Sequence, residues 1–489
     1  MSLNTTALLD SQYIRFRDLL QERSGIYFPL EKRATLARGL DEALRLSPCT
    51  NMDAYFNLLE RSPSTHQEWD RLVSILTVGE TYFFRNQGHF NALKQHILPE
   101  IIARRERFNR RLRIWSAGCA TGEEPYSLAI LLREMIPNLA SWNVTILATD
   151  INREALSRAR EGLYSTWSFR GVEKRLHDRY FSQVGNRYQI NQEIKQMVNF
   201  EYLNLIEDYY PSLTNNTSGM DLIFCRNVTI YFSQEVTRQV VGQLYNCLVD
   251  GGWYIPGSSE PNLVTYKAFA YRTFPGAVVY QKPQPEPGKK LVVETGELHR
   301  LPQTRPLTMT KPTAAKSRPQ NGLQWPNAYK DAQVLLKTGR IDEAMTKLYE
   351  KLDQDPRHVP TYCLLGKIYA NRGQFEEAQH WCERAIEKDK LQPEPYFTLS
   401  MIYQGQGMVE RAIDALKKTL YLAPIFVLAH YTIANLYLQA GDPKLAARHL
   451  QNVKRLLTGK PEDEQIPEGD GLVVGRLDEL VEMLLANLA

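Results

Sequence analysis

The sequence has few of the features that mark a metalloprotein, a secreted protein or a membrane protein. Its six cysteines, at positions 49, 119, 225, 247, 363 and 382, form no CxxC pair and no other metal-site spacing. We expect reduced thiols and no bound metal. No apolar run reaches the 18 residues of a transmembrane helix, and residues 1–10 lack the basic start and apolar centre of a signal peptide. These absences predict a cytoplasmic protein without membrane insertion.

The charge of the chain is also unremarkable. With 59 Lys and Arg against 55 Asp and Glu, the formal net charge is +4 over 489 residues. This charge is too small to indicate nucleic-acid binding by itself. A hydrophobic content of 43% is that of a globular protein. The length exceeds what one hydrophobic core supports, so we expect two or three domains.

Residues 1–90 are predicted to form a helical domain. Apolar side chains recur there every three or four residues, as at Tyr13, Phe16 and Leu20. Ser11 and Asn51 are candidate helix caps.

From Arg111 the pattern changes to strands that alternate with helices. Predicted strands are 111–117, 143–149, 198–205, 220–225 and 251–256, and predicted helices are 123–135, 152–161 and 233–248. Such alternation predicts an α/β fold with a mainly parallel, doubly wound sheet over residues 91–282. The alternation breaks at about 177–200, where we expect a small β subdomain.

The last third of the chain is a repeat with a period of 34 residues. The recurring positions are Gly339, Gly373, Gly407 and Gly441, and Ala344, Ala378, Ala412 and Ala446. This pattern resembles the tetratricopeptide repeat and implies four repeats plus a closing helix over 325–489. A proline-rich stretch at 283–324 is expected to be a flexible linker. The repeats either hold a protein partner, which we favour, or form a spacer.

Polar side chains mark the carboxyl ends of the predicted strands. The residues concerned are the small-residue loop 117–122, Glu124, Asp150, Asn204, Arg226 and Asn227. Because a doubly wound sheet binds ligands at these ends, we expect one binding site there. Taken alone, Asp150 is equally consistent with a helix cap, and Glu123 and Glu124 with charges that favour a helix N-terminus.

The loop composition indicates which ligand the site binds. No G-x-x-x-x-G-K-[ST] motif is present, and residues 117–122 include only two glycines, which disfavours ATP and NAD. A carboxylate at the mouth of the loop suits the ammonium of an amino acid and repels a pyrophosphate. We therefore predict S-adenosyl-L-methionine as the cofactor.

Several motifs in fixed order resemble the CheR-type chemotaxis receptor methyltransferases. They are residues 76–85 (Leu-Thr-Val-Gly-Glu-Thr-Tyr-Phe-Phe-Arg), the loop 118–127, residues 148–151 (Ala-Thr-Asp-Ile), residues 204–205, and residues 225–228 with 231–232. The resemblance covers residues 16–282 and implies a helical domain followed by a Rossmann-like class I methyltransferase. It also implies methyl transfer from S-adenosyl-L-methionine to glutamate side chains of methyl-accepting chemoreceptor-like proteins, with S-adenosyl-L-homocysteine as product.

The resemblance further implies how the cofactor is held. Thr81 and Arg85 would close over it, Glu124 would hold the methionine amino group, and Asp150 would hold the ribose. Its adenine and methionine sides would be lined by Asn204, Leu205, Arg226 and Asn227. Gly79 would make a contact through its backbone only, since some relatives carry an amide there.

Arg85 and Tyr231 are implied to face the methyl group. A glutamate carboxylate is already ionised at neutral pH and needs no general base, so the enzyme must desolvate and orient it. Arg85 offers a two-pronged hydrogen bond, and Tyr231 offers another donor. The alternatives are that Arg85 is a surface residue capping a helix and that Tyr231 packs in the core beside Phe232.

The sequence departs from the family in two places. Residues 257–260 read Gly-Ser-Ser-Glu, without the His that usually precedes this Glu. The loop around 184–188 is shorter than in relatives that bind a tethering peptide at the receptor C-terminus. We therefore expect no pentapeptide tether, and expect the repeats to recruit a partner.

A run of arginines beside Phe108 allows three interpretations. The arginines are Arg104, Arg105, Arg107, Arg110, Arg111 and Arg113. We favour a solvated helix end over a phosphate-binding patch. A surface that steers acidic receptor helices is the intermediate possibility.

Two other function classes remain open. One is a catalytically weak cofactor-binding scaffold that acts through its repeats, although the presence of Arg85, Glu124, Asp150 and Tyr231 argues against it. The other is a nucleic-acid methyltransferase, which should carry Asn/Asp-Pro-Pro-Tyr or a catalytic Cys after the fourth strand. Residues 227–230 read Asn-Val-Thr-Ile, so no nucleic-acid partner is expected.

Overall fold

The structure is a computed structural model, and it describes residues 8–488 apart from 64–65, 78, 108, 263, 285–327, 338–339 and 487. The predicted linker therefore lies almost wholly outside the described residues. So do Val78 of the first motif, Phe108 of the arginine run and Gly339 of the repeat. Among the helices that are described, none is both long enough and apolar enough to cross a membrane.

The N-terminal region is helical, as predicted. Its helices are α1 (Asp10–Ser24), α2 (Arg33–Leu46), α3 (Met52–Arg61) and α4 (Gln67–Leu76). They share one core, which includes Phe16, Leu40, Leu59 and Leu72. The cap at Asn51 is confirmed, since its side chain accepts a hydrogen bond from the Ala54 N–H at 2.9 Å. The cap at Ser11 is wrong, because α1 begins at Asp10 and Ser11 lies inside it.

Helices and strands alternate in the next region. The helices are α5 (Gln87–Ala92), α6 (Leu98–Glu106), α7 (Glu123–Met135), α8 (Arg153–Glu161), α9 (Lys174–Tyr180), α10 (Gln192–Lys195) and α11 (Gln234–Cys247). The strands are β1 (Arg111–Ala117), β2 (Asn143–Asp150), β3 (Leu163–Tyr164), β4 (Phe181–Val184), β5 (Arg187–Ile190), β6 (Val198–Tyr202), β7 (Met220–Cys225), β8 (Leu248–Pro256), β9 (Ala270–Phe274) and β10 (Ala277–Gln281).

The large sheet has the strand order β6-β2-β1-β7-β8-β10-β9. Its first five strands are parallel, and β10 and β9 are antiparallel. Both faces are covered: Ile114 and Phe224 join the core that includes residues of α7 and α8, whereas Trp115 and Ile223 join the core that includes residues of α11. The predicted mainly parallel, doubly wound sheet is therefore confirmed, while β9 and β10 were not predicted.

The small sheet has the order β3-β5-β4, and all its strands are antiparallel. It spans residues 163–190 and so begins earlier than the predicted range of 177–200. The reason is that Leu163–Tyr164 pairs with β5, and a two-residue strand is too short to show alternation. Only Gly185 and Asn186 separate β4 from β5.

The arginine run is mainly structural, which corrects the phosphate-patch interpretation, whereas the solvated-end interpretation holds for the exposed Arg107 and Arg110. Arg104 and Arg105 lie 3.2 and 2.6 Å from the carboxylate of Asp221, which is fully buried in β7. Arg113 is 5% exposed and donates a hydrogen bond to the Asn216 carbonyl at 2.6 Å. A buried carboxylate needs cationic partners, so these side chains hold α6, β1 and β7 together.

The C-terminal region is a helical array, as predicted. Its helices are α12 (Ala328–Lys337), α13 (Ile341–Gln354), α14 (Val359–Asn371), α15 (Phe375–Lys388), α16 (Glu394–Gly405), α17 (Val409–Leu422), α18 (Val427–Gln439), α19 (Pro443–Leu457) and α20 (Val474–Ala486). Consecutive helices pair up to α19, and α20 packs on α19. Gly373, Gly407 and Gly441 have φ of +72°, +77° and +76° in the turns inside the pairs. Glycine adopts this conformation without strain, which explains why a glycine recurs at the same position of each repeat. The exact domain boundaries stay predictions.

The array packs against the amino ends of the strands in the large sheet. Gly373 lies against Gly219, just before β7, so closely that a Cβ on Gly219 would come within 3.3 Å of the Gly373 Cα. At the start of β1, the Arg111 guanidinium lies 4.6 Å from the centroid of the Phe375 ring. The repeat turns therefore contact the end of the sheet opposite the predicted ligand site.

Helix α20 contacts the β6 edge of the sheet. Arg476 donates a hydrogen bond to the Tyr202 carbonyl at 3.1 Å. The guanidinium groups of Arg476 and Arg153 each lie 4.3 Å from the Tyr202 ring centroid. Arg153 also pairs with Glu479 of α20 at 3.2 Å and with Asp70 of α4 at 3.1 Å. Tyr202 therefore lies where the helical domain, the sheet and the array meet.

Candidate active site

A cavity of about 340 Å³, here called the rim cavity, opens at the carboxyl ends of β1, β2, β6 and β7. Its lining includes every residue predicted for the site: Gly79, Thr81, Arg85, Glu124, Asp150, Asn204, Leu205, Arg226, Asn227 and Tyr231. Ser24, Ile26 and Thr77 from the helical domain also line it. The structure thus brings together all the predicted residues, whose individual roles stay predictions.

The loop after β1 depends on small residues. Gly118 and Gly122 have φ of +78° and +93°. A Cβ on Gly118 would come within 2.2 Å of the Val228 side chain, so only glycine fits there. The loop backbone is thereby held against the residues that follow β7, and both line the rim cavity.

Glu124 forms a buried ion pair inside the rim cavity. Its carboxylate lies 3.2 Å from the Arg226 guanidinium and accepts a hydrogen bond from the Ser116 hydroxyl at 2.6 Å. The side chains of Arg226 and Glu124 are only 4% and 13% exposed. Burial raises the pKa of the Glu124 carboxyl, and Arg226 and Ser116 offset part of that rise. Glu124 therefore does more than favour the N-terminus of α7.

Glu123 has a structural role instead. Its carboxylate accepts hydrogen bonds from the hydroxyls of Thr121 and Ser168, at 2.6 and 3.0 Å. These bonds tie the loop after β1 to the segment between β3 and β4 of the small sheet.

Asp150 shapes the same loop from the end of β2. One carboxylate oxygen accepts a hydrogen bond from the Ala120 N–H at 2.8 Å, and the other accepts one from the Asn152 N–H at 2.9 Å. The cap of α8 is Asn152, whose side chain accepts from the Ala155 N–H. The alternative that Asp150 caps this helix is therefore wrong. Burial raises the pKa of the Asp150 carboxyl, and these backbone N–H groups lower it.

Arg85 enters the rim cavity from the segment that follows the helical domain. Its backbone carbonyl accepts a hydrogen bond from the Arg226 guanidinium at 2.8 Å, and its own guanidinium donates to the Glu80 carbonyl. The cap of α5 is Asn86, whose side chain accepts from the His89 N–H. Arg85 is therefore a half-buried cavity residue, and the capping alternative is wrong.

Tyr231 lines the rim cavity from the turn after β7. Its side chain is half-buried and lines the cavity, which disfavours the core-packing alternative. Burial raises the pKa of the Tyr231 hydroxyl, so the hydroxyl stays protonated at neutral pH and can donate a hydrogen bond. Its backbone carbonyl accepts from the Tyr27 N–H at 2.8 Å, which links the turn to the helical domain.

Asn204 joins the same two parts of the chain. Its side-chain amide donates to the Arg23 carbonyl at the end of α1 at 2.6 Å, and its oxygen accepts from the Ile206 N–H at 3.1 Å. Asn204 and Leu205 are buried in the rim cavity wall. The polar atoms of Asn204 therefore already have protein partners, and its main effect is on the shape of the wall.

Glu260 organises the turn after β7, and the sequence reasoning gave it no role. Its carboxylate accepts hydrogen bonds from the N–H groups of Asn227, Val228 and Thr229 at 2.9, 3.2 and 2.9 Å, and from Gly257 at 2.5 Å. Asn227 has a φ of +57°. An acidic residue soon after β8, at the same edge as the other strand-end residues, was the signal available in the sequence.

Comparison with protein families decides the classification. Residues 79–271 match the model described as CheR methyltransferase, SAM binding domain, and residues 11–77 match the CheR methyltransferase, all-alpha domain. The chain belongs to the chemotaxis protein methyltransferase family. Residues 335–399 and 393–426 of this family member match tetratricopeptide repeat models.

Curated relatives agree with this classification. Chemotaxis protein methyltransferase 2 of Vibrio cholerae is 32% identical over 282 residues, which span 58% of this chain and 96% of the relative. Chemotaxis protein methyltransferase 1 of Pseudomonas aeruginosa is 34% identical over 250 residues, or 50% and 88% of the two chains. The Escherichia coli chemotaxis protein methyltransferase is 33% identical over 258 residues, or 52% and 85%. The similarity to these chemotaxis methyltransferases thus covers the helical domain and the sheet.

Proposed function

We propose that this chemotaxis methyltransferase transfers methyl groups from S-adenosyl-L-methionine to glutamate side chains of chemoreceptor-like proteins. The observation that carries the proposal is the rim cavity, whose lining includes Arg85 and Tyr231 as well as the Glu124–Arg226 pair. We expect no metal and no nucleic-acid substrate.

The residues present fit this cofactor. Glu124 and Arg226 place a carboxylate beside a guanidinium, which is the complement of the ammonium and carboxylate of an amino acid. The Arg226 Nε is buried without a hydrogen-bond partner among the described residues, so one donor remains for a ligand carboxylate. Asp150 lies at the end of the neighbouring strand, where an acidic side chain accepts hydrogen bonds from ribose hydroxyls.

Methyl transfer requires that the glutamate carboxylate be oriented and desolvated. When bound, S-adenosyl-L-methionine supplies a methyl group activated by a cationic sulfur. Arg85 orients the glutamate carboxylate by charge-assisted hydrogen bonds, and the Tyr231 hydroxyl donates another. The surrounding walls exclude water from the carboxylate oxygen that attacks. No side chain has to accept a proton, because the carboxylate is already ionised.

The repeats are proposed to recruit a protein partner. The β4–β5 turn contains only Gly185 and Asn186, which supports the proposal that no receptor pentapeptide tether is bound there. Recruitment through the array is then the available alternative.

Transfer of a labelled methyl group to purified receptor cytoplasmic fragments tests the function. Glutamate methyl esters release methanol in base, whereas methylated amines do not, so base-labile label identifies the product. We expect Arg85→Lys to lower kcat, because a lysine ammonium lacks the two-pronged geometry. Arg175→Lys is the control, because the Arg175 side chain is 60% exposed and pairs with Glu134 outside the rim cavity. Binding of S-adenosyl-L-methionine without transfer to any receptor fragment would favour the scaffold alternative.

A further inference from the structure

The rim cavity is too small to admit a protein. At about 340 Å³ it has the size of a site for one small molecule. When the cofactor occupies it, only the glutamate side chain of a substrate protein can reach in. The backbone that carries this glutamate, and the residues beside it, must therefore lie on the surface around the opening.

An exposed aromatic surface lies beside this opening. It is formed by Tyr82, Trp167 and Arg170 and is here called the mouth surface. Of the tryptophans that the structure describes, only Trp167 is mostly exposed, at 68%. It lies in a short turn (Thr166–Phe169) between β3 and β4. Tryptophan is among the side chains that contribute most to protein–protein binding, because its large ring buries much apolar area on contact.

The mouth surface leads from Trp167 to a residue of the rim cavity. The Arg170 guanidinium lies 4.4 Å from the centroid of the Trp167 ring and 4.0 Å from that of the Tyr82 ring. The guanidinium of Arg85, which lines the cavity, lies 5.9 Å from the Tyr82 ring centroid. One helical turn rises about 5.4 Å. Trp167 therefore lies within about three helical turns of Arg85.

The mouth surface is held in place by bonds to the segment that lines the cavity. Arg170 donates hydrogen bonds to the Glu80 carboxylate at 2.9 Å and to the Trp167 carbonyl at 3.2 Å. Glu80 itself lines the rim cavity. The Phe83 N–H donates to the Ser168 carbonyl at 2.9 Å. Because the turn that carries the Trp167 ring is already fixed, a partner that packs on the ring loses little binding energy to ordering it.

The charges of the mouth surface indicate which side chain it binds. Arg170 is 28% exposed, and its charge is offset by the ion pair with Glu80. A carboxylate would find no unpaired cation there, and an added cation would lie close to Arg170. The aromatic area therefore suits an apolar side chain best.

We propose that the mouth surface docks the substrate of the methyl transfer. While Arg85 and Tyr231 hold the reacting glutamate, an apolar side chain of the same substrate segment packs on the Trp167 ring. This apolar residue lies within about three helical turns of the glutamate. The contact favours glutamates that have such a neighbour. The inference rests on the methyl transfer proposed above and adds which glutamates are preferred.

Kinetics of methyl transfer to a purified receptor cytoplasmic fragment test this docking. Trp167→Ala should raise the KM for the fragment about tenfold and change kcat by less than about twofold, because the contact is made equally before and during the reaction. Trp167→Phe keeps an aromatic ring and should restore most of the loss. Tyr271→Ala is the matched control, because Tyr271 is 63% exposed and lies in β9, outside the lining of the rim cavity. Calorimetry should give the same Kd for S-adenosyl-L-methionine on all four chains.

The substrate offers a second test. Three helical turns contain about 11 residues, so each apolar residue within that distance of a methylated glutamate is replaced by serine in turn. At one position the replacement should raise the KM about tenfold on the unchanged chain. It should raise the KM no further on the Trp167→Ala chain, since the contact is already lost there.

Two results would overturn the proposal while methyl transfer itself is observed. One is an equal KM for the Trp167→Ala and Tyr271→Ala chains. The other is that every serine replacement changes the KM by the same factor on the unchanged chain and on the Trp167→Ala chain. No transfer by the unchanged chain to any receptor fragment would instead reject the proposed function, and this proposal with it.

Discussion

The rim cavity and the repeat array both contain an ion pair, but different parts of the fold build them. In the rim cavity, Glu124 and Arg226 follow adjacent strands, and their positions are fixed by the sheet. In the repeat array, Lys367 belongs to α14, whereas its partners Glu468 and Asp470 come from a loop about 100 residues away in sequence. The first pair is therefore part of a rigid framework, and the second joins a helix to a loop.

The two regions are also separate. No described residue from 328 onward lines the rim cavity. The repeat turns contact the amino ends of the strands, and α20 approaches the edge of the sheet near α8. Changes in the array should therefore affect cofactor binding much less than changes in the rim cavity do.

The largest expected effect is that of Glu124→Gln. It removes the carboxylate proposed to bind the ligand ammonium, and loss of one partner of a buried charge pair weakens binding by about 3 kcal/mol, or about 100-fold in the Kd for S-adenosyl-L-methionine. Titration calorimetry measures the Kd, and the exposed Glu161→Gln is the control. Glu468→Gln, in the array, should leave this Kd within about twofold. A loss as large as that of Glu124→Gln would break the comparison.

A smaller loss is expected for Glu260→Gln. The amide cannot accept all the N–H groups that this carboxylate holds, so the turn at Asn227 loosens. We expect a Kd for the cofactor that is about tenfold higher, or about 1.4 kcal/mol. Calorimetry and thermal unfolding on the same sample separate this effect from loss of the fold. An unchanged Kd would mean that Glu260 does not position the rim.

The rim cavity should also respond to pH. Burial raises the pKa values of Glu124 and Asp150 above those of exposed carboxyls. Because the folded pKa lies above the unfolded one, these groups lower the free energy of unfolding as pH rises through the raised pKa. Over the same window they become anionic, so cofactor binding strengthens. As the pH is lowered, titration calorimetry should show cofactor binding weaken at pH values that are still above those at which exposed glutamates titrate. A profile that Glu124→Gln leaves unchanged would contradict this assignment.

The smallest effect is expected where the array meets the sheet. Arg476→Met removes a hydrogen bond to the Tyr202 carbonyl and a stacked guanidinium. We expect a loss of about 1 kcal/mol in stability, seen as a lower melting temperature. The Kd for the cofactor should stay within about twofold. A large change in that Kd would show that the array and the rim cavity are coupled.

The sequence was informative where function depends on local order along the chain. The strand ends marked by Asp150 and Arg226 follow from the alternation of strands and helices. The glycines at 373 and 407 follow from the 34-residue period. The sequence did not indicate which residues contact each other when they lie far apart along the chain. Asp221 takes Arg104 and Arg105 as partners across 116–117 residues, which is why the arginine run was misinterpreted. The loop that pairs with Lys367 was missed for the same reason, since no repeat pattern indicates which loop contacts α14.

The most direct test of the central claim is a crystal structure of the full chain with S-adenosyl-L-homocysteine. We predict that its amino group lies within hydrogen-bond distance of the Glu124 carboxylate and its ribose hydroxyls within reach of Asp150. The homocysteine sulfur should face Arg85 and Tyr231. A ligand bound elsewhere, or one in the rim cavity that contacts neither Glu124 nor Asp150, would contradict the account.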